Sequence, residues 1–493
     1  MSVLGSVVNP FVGSTLLLVV VFVALIFVFV RGRKKNNLPP GPWGLPLVGV
    51  LPFLGRDPQL TLMEWAKIYG NIFTVKMGTT TAVILTGYEA IRDVFQRKGA
   101  LTSGRPHIPT FDFLHGRGLV CADYSMKQRA HREFTLKYLA KADIEKQTED
   151  EIDALLQYIR DTNGEPFDFN RTISSSGSNI IGSILFGDRQ EYDDPDFRNL
   201  IDSYRHAAEL SAQASIQNFL PFLSFLPQCS EGKVAWNTFA SHVKRLLDQH
   251  KLGYDAGATR GLIDAFLHQF KTGDSEQKWL YTDEDLLANC QSLYLGGSET
   301  TSTTLTWGML YLLSNPDVCE KIHAELKEVV GKTRRPSLAD RPHLPFVNAT
   351  LMEIQRCNYI VPFSLPHKAT KDTFIGGYVI PEGTSILANY WSVFMNEDFW
   401  PNPREFRPSR FFDEHGNLKR VENFIPFSIG KRSCPGEILA RHEMFLVLTA
   451  LVQTFTFHVP KGEVLPELAG TTGAVYVPPR FRVCARPRDL TSD

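Results

Sequence analysis

The order of apolar and polar positions separates one long apolar stretch from a series of shorter periodic segments. Residues 11–30 carry no charge, and about 20 apolar residues is the length a helix needs to cross the hydrocarbon core of a bilayer. Arg31, Arg33, Lys34 and Lys35 follow at once, and no Lys or Arg precedes the run. The positive-inside rule then leaves the rest of the chain on the cytoplasmic side. No small-x-small site precedes the basic cluster, which favours a retained signal anchor over a cleaved signal peptide. Leu38-Pro39-Pro40-Gly41-Pro42 cannot continue a helix, because proline lacks the amide proton and biases the residue before it towards extended geometry. The expected division is an anchor over residues 1–35, with its span at about 11–30, a proline-rich hinge over 36–44, and one large domain over 45–493.

Within that domain residues 72–77 and 82–86 read as short strands parted by Gly78 and threonines, and 88–97 has helical spacing. Most of the remainder is helical. Residues 141–160, 196–214, 234–250, 283–314, 316–330 and 345–357 show amphipathic spacing or clear start and stop signals. The fold class is mainly α with small β sheets. No solenoid-type repeat or low-complexity tract interrupts it.

Composition narrows the function classes. The chain of 493 residues is 43% hydrophobic and 21% charged, with 53 acidic against 52 basic residues, which is ordinary globular composition rather than disorder. A net charge near zero gives no global attraction to nucleic acid, and none is expected as a partner. The cysteines Cys121, Cys229, Cys290, Cys319, Cys357, Cys434 and Cys484 are scattered and odd in number. That fits neither a disulfide framework nor a zinc site, and places the domain in a reducing compartment.

Specific chemistry begins at Phe427-Ser428-Ile429-Gly430-Lys431-Arg432-Ser433-Cys434-Pro435-Gly436. Cys434 falls at the expected N-cap of an apolar helix running towards Leu448, with Pro435 at its first position, so free backbone amides and the positive helix end favour a thiolate. Gly430 and Gly436 allow tight turning and close approach to a flat cofactor. Taken alone, Cys434 reads better as a small buried hydrophobe, which is what most free cysteines are. Thr282 caps the long helix 283–314, which carries Gly296-Gly297-Ser298-Glu299-Thr300-Thr301 in its middle. Each glycine costs about 1 kcal/mol relative to alanine there. Either the helix opens and frees Thr300 and Glu299 to move protons, or the glycines mark a close helix crossing. Glu353 and Arg356 lie three apart on one helix and share a face.

The combined pattern F-x-x-G-x-R-x-C-x-G resembles the haem-binding signature of the cytochrome P-450 superfamily. The likeness extends from Pro39 to the last strands near Arg482 and is closest to the microsomal family two type, which oxidises drugs, steroids and fatty acids. It implies a P-450 fold, a single haem domain after one transmembrane helix, and haem b with Cys434 as axial thiolate. Phe427 and Gly436 would lie against the haem. A thiolate pushes electron density onto iron and favours cleavage of the O–O bond. By the same resemblance Arg105 in Ser103-Gly104-Arg105-Pro106, Arg132, His367 after Pro366, and Arg432 would meet the propionates. Glu299 and Thr300 would be the acid–alcohol pair that delivers protons to dioxygen, and Arg410 in Phe406-Arg407-Pro408-Ser409-Arg410-Phe411 would complete a buried structural triad with Glu353 and Arg356. One departure weakens the expected contact at Arg132: Gln128 stands where the family commonly has tryptophan, and Glu133 follows the arginine.

The resemblance also selects an apolar pocket from Phe111, Phe113 and Leu114; Phe219 and Phe222; Leu293, Gly296 and Gly297; Val361, Phe363 and Leu365; and Gly473, Ala474 and Val475. Lys127, Arg129, Lys137, Lys431 and Arg441 would present a basic face to an acidic electron donor. The chain carries no dinucleotide-binding glycine fingerprint, so electrons are expected from a separate protein. The implied donor is the NADPH-cytochrome P-450 reductase of the endoplasmic reticulum, with cytochrome b5 as a second candidate. The expected activity is insertion of one oxygen atom of dioxygen into an apolar substrate, by an enzyme held in that membrane by a single span in contact with lipid, its catalytic domain on the cytoplasmic face. A haem-thiolate isomerase or dehydratase, and a membrane haem protein that binds gas or lipid without catalysis, are the competing readings.

Overall fold

A computed structural model describes residues 38–272 and 279–488. The span expected over 11–30 lies outside the described residues, and no helix among them is long and apolar enough to cross a membrane. Eight helices position the site: α1 Met126–Leu139, α2 Ile144–Asp161, α3 Phe169–Phe186, α4 Pro195–Ala214, α5 Pro227–Leu252, α6 Asp283–Ser314, α7 Pro345–Cys357 and α8 Glu437–Thr454. α6 and α7 run over the residues that the spacing predicts. The start of α6 is set by Thr282, whose side chain accepts the Asp285 N–H at 3.2 Å, and its end by Asn315-Pro316.

The polar stretch that opens α3 hides it from periodicity. Every residue of that helix except Arg171 is buried, including the run Ser174–Ser178. α3 packs along α6, and the two backbones come close because glycines face the contact: a Cβ on Gly177 would stand 2.3 Å from Ser302 Oγ, and one on Gly297 2.7 Å from Ile181 Cγ1. The apolar residues Phe169, Ile173, Ile180, Ile181, Ile184 and Leu185 of α3 keep helical spacing, but the Ser/Gly/Asn run between Ile173 and Ile180 has the composition of a loop and interrupts the stripe. The segment 88–97, expected as one helix, divides into an α-helical turn, Tyr88–Arg92, and a π-helical turn, Asp93–Arg97.

A small sheet stands at one side. β1 Ile72–Met77 pairs antiparallel with β2 Thr80–Thr86, so that Ile72 faces Leu85 and Val75 faces Ala82. β2 runs parallel to a later strand, Ser385–Asn389, which in turn pairs with the short strand His367–Lys368. That pairing fixes the place of His367.

The interior is tied by ions as well as by apolar packing. Glu353 on α7 accepts Arg356 Nε at 2.7 Å and Nη2 at 2.9 Å, and Arg410 Nε at 2.8 Å. The Arg407 N–H adds a further bond at 2.8 Å. Arg356 also donates to Phe394 O at 3.1 Å, and Arg410 to Pro401 O at 3.0 Å and Glu405 O at 2.9 Å. Glu353 and Arg356 are fully buried and Arg410 is 8% exposed. Glu353→Ala would leave two buried guanidinium groups without a counter-charge, a loss of about 3–5 kcal/mol. The expected outcome is a clear fall in the urea midpoint, or failure to accumulate folded protein, and a midpoint equal to native would refute it.

Candidate active site

The segment before α8 turns sharply to present its cysteine. Ser428 and Gly430 have φ of 63° and 84°, and a Cβ on Gly430 would stand 1.9 Å from the Phe95 carbonyl oxygen. Only glycine lets the loop lie this close to the π-helical turn Asp93–Arg97. The Cys434 N–H closes the turn by donating to Phe427 O at 2.9 Å. α8 begins at Glu437 with Gly436 as its N-cap, so the cysteine precedes the helix and, contrary to the spacing, does not cap it. Pro435 and Gly436 form a separate turn, and the Gly436 N–H is the amide that reaches the sulfur.

That sulfur lies deep in the molecule yet faces an open cavity of about 300 Å³. Burial raises the thiol pKa, while the Gly436 amide and the Arg132 charge favour the thiolate. The cavity runs between α6 and α8 and is lined by Leu293, Gly296, Gly297, Thr300, Val361, Leu365, Phe427, Cys434 and Gly436. Arg105, Arg132, His367 and Arg432 also line it.

The three guanidinium groups are held by neutral groups. Arg105 donates to Leu365 O at 3.0 Å, Pro366 O at 2.8 Å and Val120 O at 3.1 Å. Arg432 donates to Ser103 O at 2.9 Å and Ala122 O at 2.7 Å, and Arg132 to Ser433 Oγ at 3.0 Å. Burial and the neighbouring Arg432 push Arg105 down to about 9. Burial, with Arg132 opposing Asp123, brings Arg432 to about 10. His367 stacks on Phe95 with ring centres 3.9 Å apart, and its Nδ1 lies 2.7 Å from Thr102 O. Burial and the Arg105 charge hold it well below the usual imidazole range, hence neutral. A cluster of guanidinium groups this poorly compensated fits a flat cofactor carrying carboxylates, beside a thiol placed as an axial ligand.

The sequence matches the family model for cytochrome P450 over residues 39–485. The chain belongs to the cytochrome P450 family. It is 34% identical to human cytochrome P450 2J2 over 98% of both chains, and 33% identical to human cytochrome P450 2U1 over 96% of this chain and 93% of the other. It is 32% identical to Drosophila melanogaster cytochrome P450 18a1 over 93% of this chain and 88% of that one. Membership makes it a haem-thiolate monooxygenase whose cofactor is haem b with an axial cysteine.

Against the P450 frame the expected residues fall into separate places. Of the pocket set, Leu293, Gly296, Gly297, Val361 and Leu365 line the Cys434 cavity. Phe111 and Phe113 instead pack on Trp236 of α5 at 5.9 and 5.5 Å between ring centres, and Leu114 is buried. Phe219 and Phe363 pack into the core beneath the small sheet, with Phe73 and Val75, while Phe222 is 58% exposed. Gly473 and Val475, with Ala474 between them, border a second cavity of about 320 Å³. Spacing on α6 points to Thr304, four residues beyond Thr300, as a further lining residue, and Glu443 on α8 lines the cavity as well. Gln128 is buried with its Oε1 unpaired and is not among the described residues lining the cavity.

The glycine run resolves into two different uses. α6 is helical throughout, and the Thr300 hydroxyl donates to Gly296 O at 2.7 Å, so the helix does not open there. Gly297 serves the close crossing with α3, whereas a Cβ on Gly296 would meet nothing within 4 Å. Glu299 turns away from Thr300: it accepts the Thr303 hydroxyl at 3.3 Å and borders the second cavity with Arg205 and Asn170.

The basic residues are likewise divided. Lys127 is bound to Asp285 at 2.5 Å, Lys137 to Glu133 at 2.7 Å and Arg441 to Glu437 at 2.9 Å. Arg129 and Lys431 flank the Tyr124 ring at 5.7 and 5.9 Å.

The two glycines should therefore respond oppositely to the same change. Gly297→Ala forces Ile181 to move and should cost about 1–3 kcal/mol, recovered in part by Ile181→Ala. Gly296→Ala should hold or raise stability by up to about 1 kcal/mol. Thermal unfolding of the three variants checks this, and equal melting temperatures for both single changes would contradict it.

Proposed function

We propose that this P450 inserts one oxygen atom of dioxygen into an apolar xenobiotic, steroid or fatty acid, with Cys434 as the thiolate ligand of its haem iron. The observation that carries the reading is the meeting, in one cavity, of the Cys434 thiol, the Thr300 hydroxyl and a cluster of guanidinium groups. Bound there, haem supplies the activation of dioxygen, and the thiolate favours O–O cleavage. Arg105, Arg432 and Arg132 would hold its propionates, their guanidinium planes already oriented by backbone carbonyls or Ser433. His367 takes part differently. With Nδ1–H donating to Thr102 O, the neutral ring presents Nε2 as an acceptor, so a carboxylate beside it draws a proton onto the ring.

Leu293, Val361 and Leu365 make an apolar wall that excludes water and orients the substrate by shape. Thr300 keeps its hydroxyl facing the same space and passes protons to dioxygen. The sequence carries no dinucleotide-binding glycine fingerprint, which supports electrons coming from NADPH through a separate reductase, with cytochrome b5 as an alternative donor. The apolar run at 11–30 and the basic cluster after it hold the enzyme in the endoplasmic reticulum membrane, on the face that the reductase shares.

The optical spectrum of the reduced protein under carbon monoxide tests the ligand. A strongly red-shifted Soret band is expected in the native protein and should vanish in Cys434→Ala; its survival there would refute the assignment. Thr300→Ala should keep the shifted band while diverting electrons to peroxide, and unchanged product yield per NADPH would remove Thr300 from proton delivery.

A further inference from the structure

The second cavity, of about 320 Å³, shares no lining residue with the one that holds Cys434. α6 is the wall between them. Glu299, Thr303 and Thr306, spaced i, i+4 and i+7, turn one face of that helix to the second cavity, while Gly296, Thr300 and Thr304 line the other. Asn170 and Ser174 of α3 join the Glu299 face to make a polar floor, and every residue of that floor is less than a tenth exposed. Polar groups buried this deeply are unfavourable unless each finds a partner. The Thr303 hydroxyl gives its proton to Glu299, and the Thr306 hydroxyl to Ser302 O at 2.8 Å, so both turn only lone pairs to the cavity. Asn170 Oδ1 has no hydrogen-bond partner among the described residues. The floor is a set of acceptors, and what it lacks is a donor.

The rest of the lining has a different character. Arg205 of α4 is half-buried and Arg480 is exposed, and both line the cavity, so two guanidinium groups stand against the one carboxyl of Glu299. Val475, Val477 and Pro478 give it an apolar side. That side belongs to a hairpin in which Thr471–Thr472 pairs with Tyr476–Val477. Three bonds hold the hairpin in place: Trp307 Nε1 donates to Tyr476 O at 3.1 Å, the Tyr476 N–H to Ile360 O at 2.7 Å, and the Gly470 N–H to the Tyr476 hydroxyl at 2.8 Å. The space is therefore preformed, and a ligand entering it has little protein to order.

We infer that the second cavity binds a small amphipathic hydroxycarboxylic acid, with its carboxylate on Arg205 and Arg480, its chain along Val475 and Val477, and its hydroxyl donating to Asn170 Oδ1. The planar fork of arginine suits a carboxylate. The apolar side disfavours a wholly polar anion such as phosphate. The floor disfavours a plain alkanoate, whose chain end would leave the buried acceptors unpaired.

The test is calorimetric titration of the full-chain holoprotein with ω-hydroxyhexanoate, with hexanoate and hexanediol as comparisons, after the Cys434 cavity has been filled with phenylimidazole. One equivalent of the hydroxy acid should bind, about tenfold tighter than the diol and about fivefold tighter than hexanoate. Arg205→Gln should bring the hydroxy acid down to the affinity of the diol. Asn170→Ala should bring it down to that of hexanoate while the preference for a carboxylate persists. Both variants should keep the Soret band and melting temperature of the native protein, which shows that the fold is intact. Absence of binding, equal affinity in native protein and Arg205→Gln, or displacement of the hydroxy acid by phenylimidazole would overturn the inference, the last by placing the ligand beside Cys434. The carbon monoxide spectrum involves none of these residues, so failure of the haem-ligand assignment is read separately.

Discussion

The arrangement turns on one carboxylate, that of Glu353, which bridges the buried guanidinium groups of Arg356 and Arg410, the remaining positive charge being met by backbone carbonyls. A buried ion set of this kind adds little net stability over apolar packing, yet it is costly to break, so it has one satisfied geometry. Through Arg356 and Arg410 that geometry fixes the carbonyls of Phe394, Pro401 and Glu405. The chain from Pro401 onward then enters the cysteine loop from a fixed direction. The polar interior thus specifies position, and the apolar interior around it supplies the driving force.

A second constraint is electrostatic and opposite in sense. At the cavity edge the guanidinium groups are over-supplied with positive charge and tied to backbone carbonyls. The fold holds these groups in place before any anion arrives, which removes the ordering cost from the binding step. The Glu353 set is held by its own carboxylate and neighbouring carbonyls, whereas the guanidinium groups at the cavity are open towards a ligand.

Much of this was legible in the chain, for identifiable reasons. α6 and α7 announce their ends with Thr282, Asn315-Pro316 and Pro345, and the cysteine loop has a spacing that few other structures need. α3 was hidden because a run of serine, glycine and asparagine, which in most chains marks a loop, here lies buried inside the helix and interrupts its apolar stripe. The place of Cys434 relative to α8 was misjudged because Pro435 fits a first helical turn as well as the separate turn it occupies. The aromatic residues assigned to the pocket went astray where neighbours outside the local sequence captured them, as Trp236 captures Phe111 and Phe113. The two sides of α6 carry Glu299 and Thr300 apart although they are adjacent in sequence, since one residue of helix is a rotation of about 100°.

The pinning of Gly430 against Phe95 joins the beginning of the domain to a loop near its end. During synthesis the first of these leaves the ribosome long before the second exists. A nascent chain therefore has no seat for a cofactor, and haem capture belongs to the finished polypeptide.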